Sequence, residues 1–117
     1  MSGRITPPQL VTPFFYVGID TALQTIVAPA SNTKGVRILG AFAWGFNTGA
    51  VSRVMAKASA PVSALDTAAL TLAMNGSVGG TGSLFNEVVL PPGIGIYAQK
   101  EDANGSSGFA LNYEVLA

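Results

Sequence analysis

Glycine and proline divide this chain into short segments, and this division constrains the fold more than any other feature. The 117 residues include 14 glycines and 7 prolines, the two residue types least compatible with the interior of a helix. Most of the segments between them alternate apolar with polar residues, or carry aromatic and β-branched runs, as β-strands do. The sequence therefore predicts an all-β protein made of short strands.

The pattern predicts about eight strands, at residues 14–17, 21–28, 36–44, 51–58, 69–74, 84–90, 94–98 and 109–116. The stretch 65–74 has a second interpretation, because Asp66 could cap a short alanine-rich helix. A strand is favoured over 69–74 because all its neighbours have strand patterns. The count and spacing favour a single antiparallel β-sandwich, jelly-roll-like, with an immunoglobulin-like sandwich as the alternative.

Alternation within the predicted strands assigns residues to faces. Arg53 and Lys57 fall on one side of strand 51–58, and we expect that side to be wet. Glu114 lies on the side of the last strand away from Phe109 and Tyr113, either on a wet sheet face or paired across an interface, with Arg37 or Arg53 as the suggested partner. The strongest strand is expected to present one continuous face, formed by Val36, Ile38, Gly40, Phe42 and Trp44. The polar segment Gln99–Ser107 is expected to be an exposed tip.

The chain begins with a proline-rich segment that differs from the rest. Residues 1–13 contain three prolines, which fix φ and disfavour helix, so we predict an extended N-terminal arm followed by a sandwich domain over residues 14–117. No secretory signal and no run of apolar residues long enough for a membrane helix is visible, which predicts synthesis in the cytoplasm and no membrane partner. The residues expected to form an interface are Pro7, Pro8, Leu10, Pro13, Phe14 and Phe15.

The composition excludes several kinds of chemistry. The chain has no His and no Cys, so disulfides, Cys/His zinc sites, thiolate nucleophiles and His-based catalysis are ruled out. The glycine-rich stretch 76–83 lacks the Lys and the following helix of a phosphate-binding loop. The acidic residues do not converge as a catalytic pair would. We therefore predict a non-enzymatic protein without cofactors or metals.

The low charge of the chain points to a covered surface. Only 10% of residues are charged, about a quarter being usual, and six Lys/Arg balance six Asp/Glu. A neutral chain is not expected to bind nucleic acid, which needs a basic excess. A monomer with so few charges would expose apolar patches, so we expect much of the surface to be buried by other copies or by a larger assembly.

Three segments combine a turn with a strand in a distinctive way: IVAPASNTKGVRI at 26–38, VLPPGIGIY at 89–97 and LNYEVL at 111–116. Together they resemble small β-sandwich structural proteins of tailed bacteriophages, of the capsid decoration (cement) or head-fibre type. The resemblance implies a virion protein on the capsid surface, assembled as a homotrimer and bound to the major capsid protein.

Two functions follow as hypotheses. The first is decoration or cementing of the capsid by packing on neighbouring subunits. The alternative is a head-fibre or tail module that recognises a host surface glycan through the loops 76–83 and 99–107. Such a glycan site would need an exposed aromatic residue beside amides, and the candidates are Tyr97 or Tyr113 near Asn104 or Asn112.

Overall fold

The computed structural model describes residues 14–18, 21–46, 51–75, 81–84, 87–101 and 106–116. In these ranges the chain forms β-strands and one short 3-10 turn at Pro29–Ser31. The all-β prediction is confirmed. The strands are β1 Phe14–Gly18, β2 Gln24–Val27, β3 Val36–Phe46, β4 Ser52–Lys57, β5 Leu70–Asn75, β6 Thr81–Leu84, β7 Val88–Leu90, β8 Gly95–Lys100 and β9 Ser106–Val115.

The strands form two antiparallel sheets. The first has the order β1-β9-β3, and on the far side of β3 the short strands β6 and β7 pair with its two halves. The second has the order β2-β8-β4-β5. Because β6 and β7 both lie along the same edge of β3, each sheet is four strands wide. Most connections along the chain lead from one sheet to the other. This is the jelly-roll arrangement, and the predicted β-sandwich is confirmed.

The core lies between the sheets and shows how β3 is built. Val36 and Ile38 are fully buried, and a register shift between Ile38 and Gly40 marks a β-bulge against β9. Beyond the bulge the buried positions are Ala41 and Ala43. The expected single face of even-numbered positions is therefore wrong, because the bulge inserts one residue and exchanges the two faces of the strand.

Other predictions can be compared with the strand bounds. The strand interpretation of 69–74 is confirmed by β5. The predicted strand 84–90 is replaced by two short strands, since residues 81–84 and 88–90 pair separately with β3. The prediction of an arm concerns residues 1–13, and most of the glycine-rich loop is residues 76–80. Both lie outside the described residues.

Candidate functional site

The outer face of the second sheet is crossed by the connection between β4 and β5, residues 58–69, which we call the strap. Val54 and Ala56 of β4 point into the core, so Arg53 and Lys57 lie on the outer face. Arg53 is nevertheless buried. Its guanidinium donates hydrogen bonds to the carbonyls of Ala64 (3.3 Å), Asp66 (2.6 Å) and Ala69 (2.6 Å), and to the Thr71 hydroxyl (2.7 Å).

Asp66 anchors the middle of the strap. Its carboxylate accepts hydrogen bonds from Lys57 Nζ at 2.7 Å, from the Val62 N–H at 3.0 Å and from the Ala68 N–H at 2.9 Å. These donors, the Lys57 ammonium foremost, lower the pKa of Asp66 from 3.8 to about 2, against the desolvation that burial imposes. Asp66 thus organises a turn, although not the helix considered from the sequence.

The strap buries part of the outer face. Met55 lies between Arg53 and Lys57 on β4 and is completely buried, and its register partner Tyr97 is also buried. Neither belongs to the core between the sheets. The prediction that Arg53 and Lys57 share a side is confirmed. The prediction that this side is wet is wrong, because the strap folds over it.

A second connection is held by a single neutral side chain. Asn32 is buried in the loop between β2 and β3, and its Nδ2 donates to the carbonyls of Pro91 (2.8 Å) and Ile94 (2.9 Å). Its Oδ1 accepts from the Gly35 N–H at 2.7 Å, and its own carbonyl accepts from the Gly93 N–H at 2.8 Å. We call these contacts the Asn32 clamp. The clamp joins two of the segments that carried the resemblance.

Two glycines allow the clamp to form. Gly93 has φ +86°, a conformation that side-chain-bearing residues rarely adopt, and it places its N–H toward Asn32. At Gly95 a Cβ would lie 2.8 Å from both Pro29 Cδ and the carbonyl oxygen of Val27, so only glycine fits against the 3-10 turn. The turn 91–94 is therefore fixed in place on the end of the sandwich.

An apolar cleft opens between the strap and this turn. It has a volume of about 340 Å³, and its lining comes from the end of β4, the start of β5, the strap, the end of β7 and the turn 91–94. Leu70 at its edge is 53% exposed although it is a large hydrophobic residue. Among the described residues that line the cleft, Lys57 is the one that carries a charge, and its ammonium is paired with Asp66. The cleft is lined by Ala56, Lys57, Ala58, Ala68, Leu70, Leu90, Pro91 and Ile94.

The structure also bears on the predictions for Glu114 and for the segment 99–107. Arg37 and Glu114 are register partners on neighbouring strands of the same sheet and form a half-exposed salt bridge of 2.8 Å, so the suggested partner Arg37 is confirmed, although the pair lies within one sheet. The expectation that Lys100 is part of an exposed tip is wrong, because β8 continues through Lys100 and buries it. Glu101 is exposed, and its carboxylate accepts a hydrogen bond from the Val51 N–H at 3.1 Å.

The predicted interface residues are mostly beyond the described ranges. Pro7, Pro8, Leu10 and Pro13 lie outside them. Phe14 and Phe15 begin β1, at the register positions of Asn112 and Leu111 on β9, and their side chains lie outside the described part. The cleft does not include any of these residues among its described lining, and the sequence patterns did not predict it.

The tyrosines proposed for glycan recognition are both buried. Tyr97 is 3% exposed and Tyr113 is 4% exposed, and burial raises the pKa of Tyr113 above its ordinary value of 10.0. Neither ring therefore offers an exposed stacking surface. Asn104, the suggested neighbour, lies outside the described residues.

Similarity to known proteins does not assign a function to this chain. No family model, curated protein or solved structure matches it. Within the described ranges, no three acidic, His or Cys side chains form a group that could hold a metal ion. No helix in those ranges is long and apolar enough to cross a membrane. The function is therefore inferred from the cleft, the strap and the surface.

Proposed function

We propose that this chain is a non-enzymatic structural protein of a tailed-phage virion, which decorates or cements the capsid by packing against neighbouring subunits. The surface of the sandwich carries the proposal. Nine of the twelve charged residues lie in the described ranges, and only Lys34, Glu87 and Glu101 among them are classed as exposed. Six large hydrophobic residues are exposed there: Val62, Leu65, Leu70, Met74, Val89 and Val115.

Few charged residues are exposed because most of the described ones are buried or paired within the fold. Arg53, Lys57 and Asp66 hold the strap, and Arg37 pairs with Glu114, so the few charges stabilise the fold and little is left to solvate the surface. Exposed apolar residues together with so few exposed charges favour a surface that is covered in an assembly. The proposed partners are other copies, as a homotrimer, and the major capsid protein.

The fold is compatible with the proposal without determining it. Jelly rolls occur in viral capsid proteins and in lectins, so the fold alone does not choose between shell packing and glycan binding. The burial of Tyr97 and Tyr113 favours shell packing, because a glycan site needs an exposed aromatic ring. The resemblance carried by 26–38, 89–97 and 111–116 covers both the decoration and the head-fibre type, so it supports a virion protein without choosing between these two functions.

Particles from a genome that encodes this chain provide the test. Mass spectrometry of purified particles should detect the chain in a fixed ratio to the major capsid protein. Particles from which the chain has been deleted should lose infectivity faster on heating or osmotic shock, and adding the purified chain should restore resistance. Particles that never contain the chain, or whose resistance is unchanged by its deletion, would rule the proposal out.

A further inference from the structure

The walls of the cleft are held in place before anything binds. One wall is the strap, fixed by Arg53 and Asp66, and the other is the turn 91–94, fixed by the Asn32 clamp. A site whose walls are already ordered loses little conformational entropy on binding. The cleft thus has the properties of a preformed docking site.

The chemistry of the cleft defines its occupant. Lys57 is neutralised by Asp66, and the carbonyls of Pro91 and Ile94 are already bonded to Asn32. A charged ligand would therefore meet no complementary charge among the described lining residues. The volume of about 340 Å³ is at the lower end for ligand sites and suits a few small apolar side chains. An uncharged, apolar peptide segment meets both conditions.

The chain itself contains such a segment. Residues 5–13 read ITPPQLVTP, with no charge and three prolines. The backbone of a proline-rich segment is already restricted, which reduces the entropy that it loses on binding. The segment and the cleft match in polarity and in the absence of charge.

The position of β1 shows from which end of the sandwich the segment starts. Phe14 pairs with Asn112, near the end of β9 where Leu116 donates to the Gly35 carbonyl beside the Asn32 clamp. The residues before Phe14 therefore start from the end of the sandwich that holds the cleft. Pro13 disfavours helix at the residue before it, so the sequence favours an extended segment. Strands β9 and β3 separate β1 from β7, a distance of about 14 Å.

We propose that residues 5–13 of one copy occupy the cleft of a neighbouring copy, an inference that rests on the proposed packing of copies against one another. Thirteen extended residues span up to about 45 Å, enough to bridge two sandwiches. Such a contact is head-to-tail, because two different surfaces meet, and contacts of this kind form a ring when the rotation between copies closes. A ring of three copies agrees with the proposed homotrimer.

Full-length variants can separate the two halves of this contact. Leu70→Lys places a charge at the edge of the cleft, and the double variant Pro8→Lys/Leu10→Lys places charges in the segment. Each variant alone should be monomeric by sedimentation velocity at concentrations where the unmodified chain is a trimer. Met74→Lys is the matched control, because Met74 is on the same strand and exposed but does not line the cleft. It should remain a trimer.

Mixing the two variants gives the decisive result. The intact segment of the Leu70→Lys chain can enter the intact cleft of the Pro8→Lys/Leu10→Lys chain, so the mixture should form a heterodimer and nothing larger. Circular dichroism and thermal melting of each variant verify that it is folded. A mixture that stays monomeric, a Leu70→Lys chain that still forms trimers, or a Met74→Lys chain that dissociates equally would overturn the inference.

The same variants distinguish this inference from the proposed function. A chain that forms trimers through the cleft but is absent from particles would leave the inference standing and remove the function. A chain that is bound to particles but whose Leu70→Lys variant still forms trimers would leave the function standing and remove the inference.

Discussion

The two walls of the cleft are held by opposite kinds of chemistry. The strap is fixed by charged groups: the Arg53 guanidinium on three backbone carbonyls and the Asp66 carboxylate on Lys57. The turn 91–94 is fixed by the neutral amide of Asn32. Both solutions satisfy the buried polar groups of an irregular connection. They differ in what can disturb them, because only the strap depends on ionisation.

This difference shows how a chain with few charges uses them. A long connection over a sheet face buries many backbone carbonyls, and a guanidinium with its five donors can satisfy several at once. A tight turn presents only a few groups, so one amide with a donor and an acceptor side is enough. The predictions below test whether the strap and the Asn32 clamp behave as this contrast requires.

Replacing Arg53 should have the largest effect. Arg53→Met keeps the apolar stem but leaves the carbonyls of Ala64, Asp66 and Ala69 without their donor, and we expect it to lower the free energy of unfolding by about 4 kcal/mol. Urea denaturation measures the change. Lys34→Met, at an exposed position, is the control and should change stability by less than about 0.5 kcal/mol. If Arg53→Met and Lys34→Met lowered the free energy of unfolding equally, the strap would not depend on Arg53.

Replacing Asn32 should have the next largest effect. Asn32→Asp has nearly the same shape but cannot donate to Pro91 or Ile94, so we expect a loss of about 2–3 kcal/mol. The exposed neighbour Thr33 serves as the control, and Thr33→Ala should be close to neutral. An Asn32→Asp chain as stable as the unmodified protein would show that the hydrogen bonds donated by Asn32 do not contribute to the stability of the fold.

Acid should act on the strap and leave the clamp intact. The pKa of Asp66 is lowered in the folded state, so its contribution to stability is fully present above about pH 4 and is lost as the pH falls toward 2. Asp66→Asn should therefore show a smaller decrease in melting temperature between pH 5 and pH 2.5 than the unmodified protein. Parallel melting curves for the two proteins across this range would contradict the assigned role of Asp66.

The salt bridge on the first sheet should matter least. Arg37 and Glu114 are each 39% exposed at the side chain, and exposed pairs contribute little because water and salt screen them. A double-mutant cycle with Arg37→Met and Glu114→Gln should give a coupling of about 0.5 kcal/mol that decreases in 1 M salt. A coupling as large as the Arg53 effect would show that charge on an open sheet face is as important as charge under the strap.

Local patterns predicted the strands well because each strand carries its own alternation. The sequence located β4 and β9 by apolar periodicity and turn residues, whereas β5 also needed the strand patterns of its neighbours to decide between strand and helix. The face switch in β3 was missed because a bulge is defined by pairing with β9, which the sequence of one strand does not contain.

The cleft could not be predicted for a related reason. Arg53 reads as a solvent-facing residue until the strap is known to fold back over it, and that path is a tertiary feature. One signal was available: Asp66 is the only charged residue in the stretch 58–69, and it follows a strand whose outer face carries two cations. Asn32 lies in the turn of the segment 26–38, but its partners Pro91 and Ile94 are about 60 positions away along the chain, so the sequence does not pair them.

Hydrogen–deuterium exchange of the intact protein at high and low concentration tests the central claim most directly. If copies meet at the cleft, the amides of residues 68–70 and 93–94 should exchange more slowly when the protein is concentrated, and those around Arg37 and Glu114 on β3 and β9 should not change. No concentration dependence at the cleft, or protection confined to the β5 edge around Met74, would contradict assembly through this site.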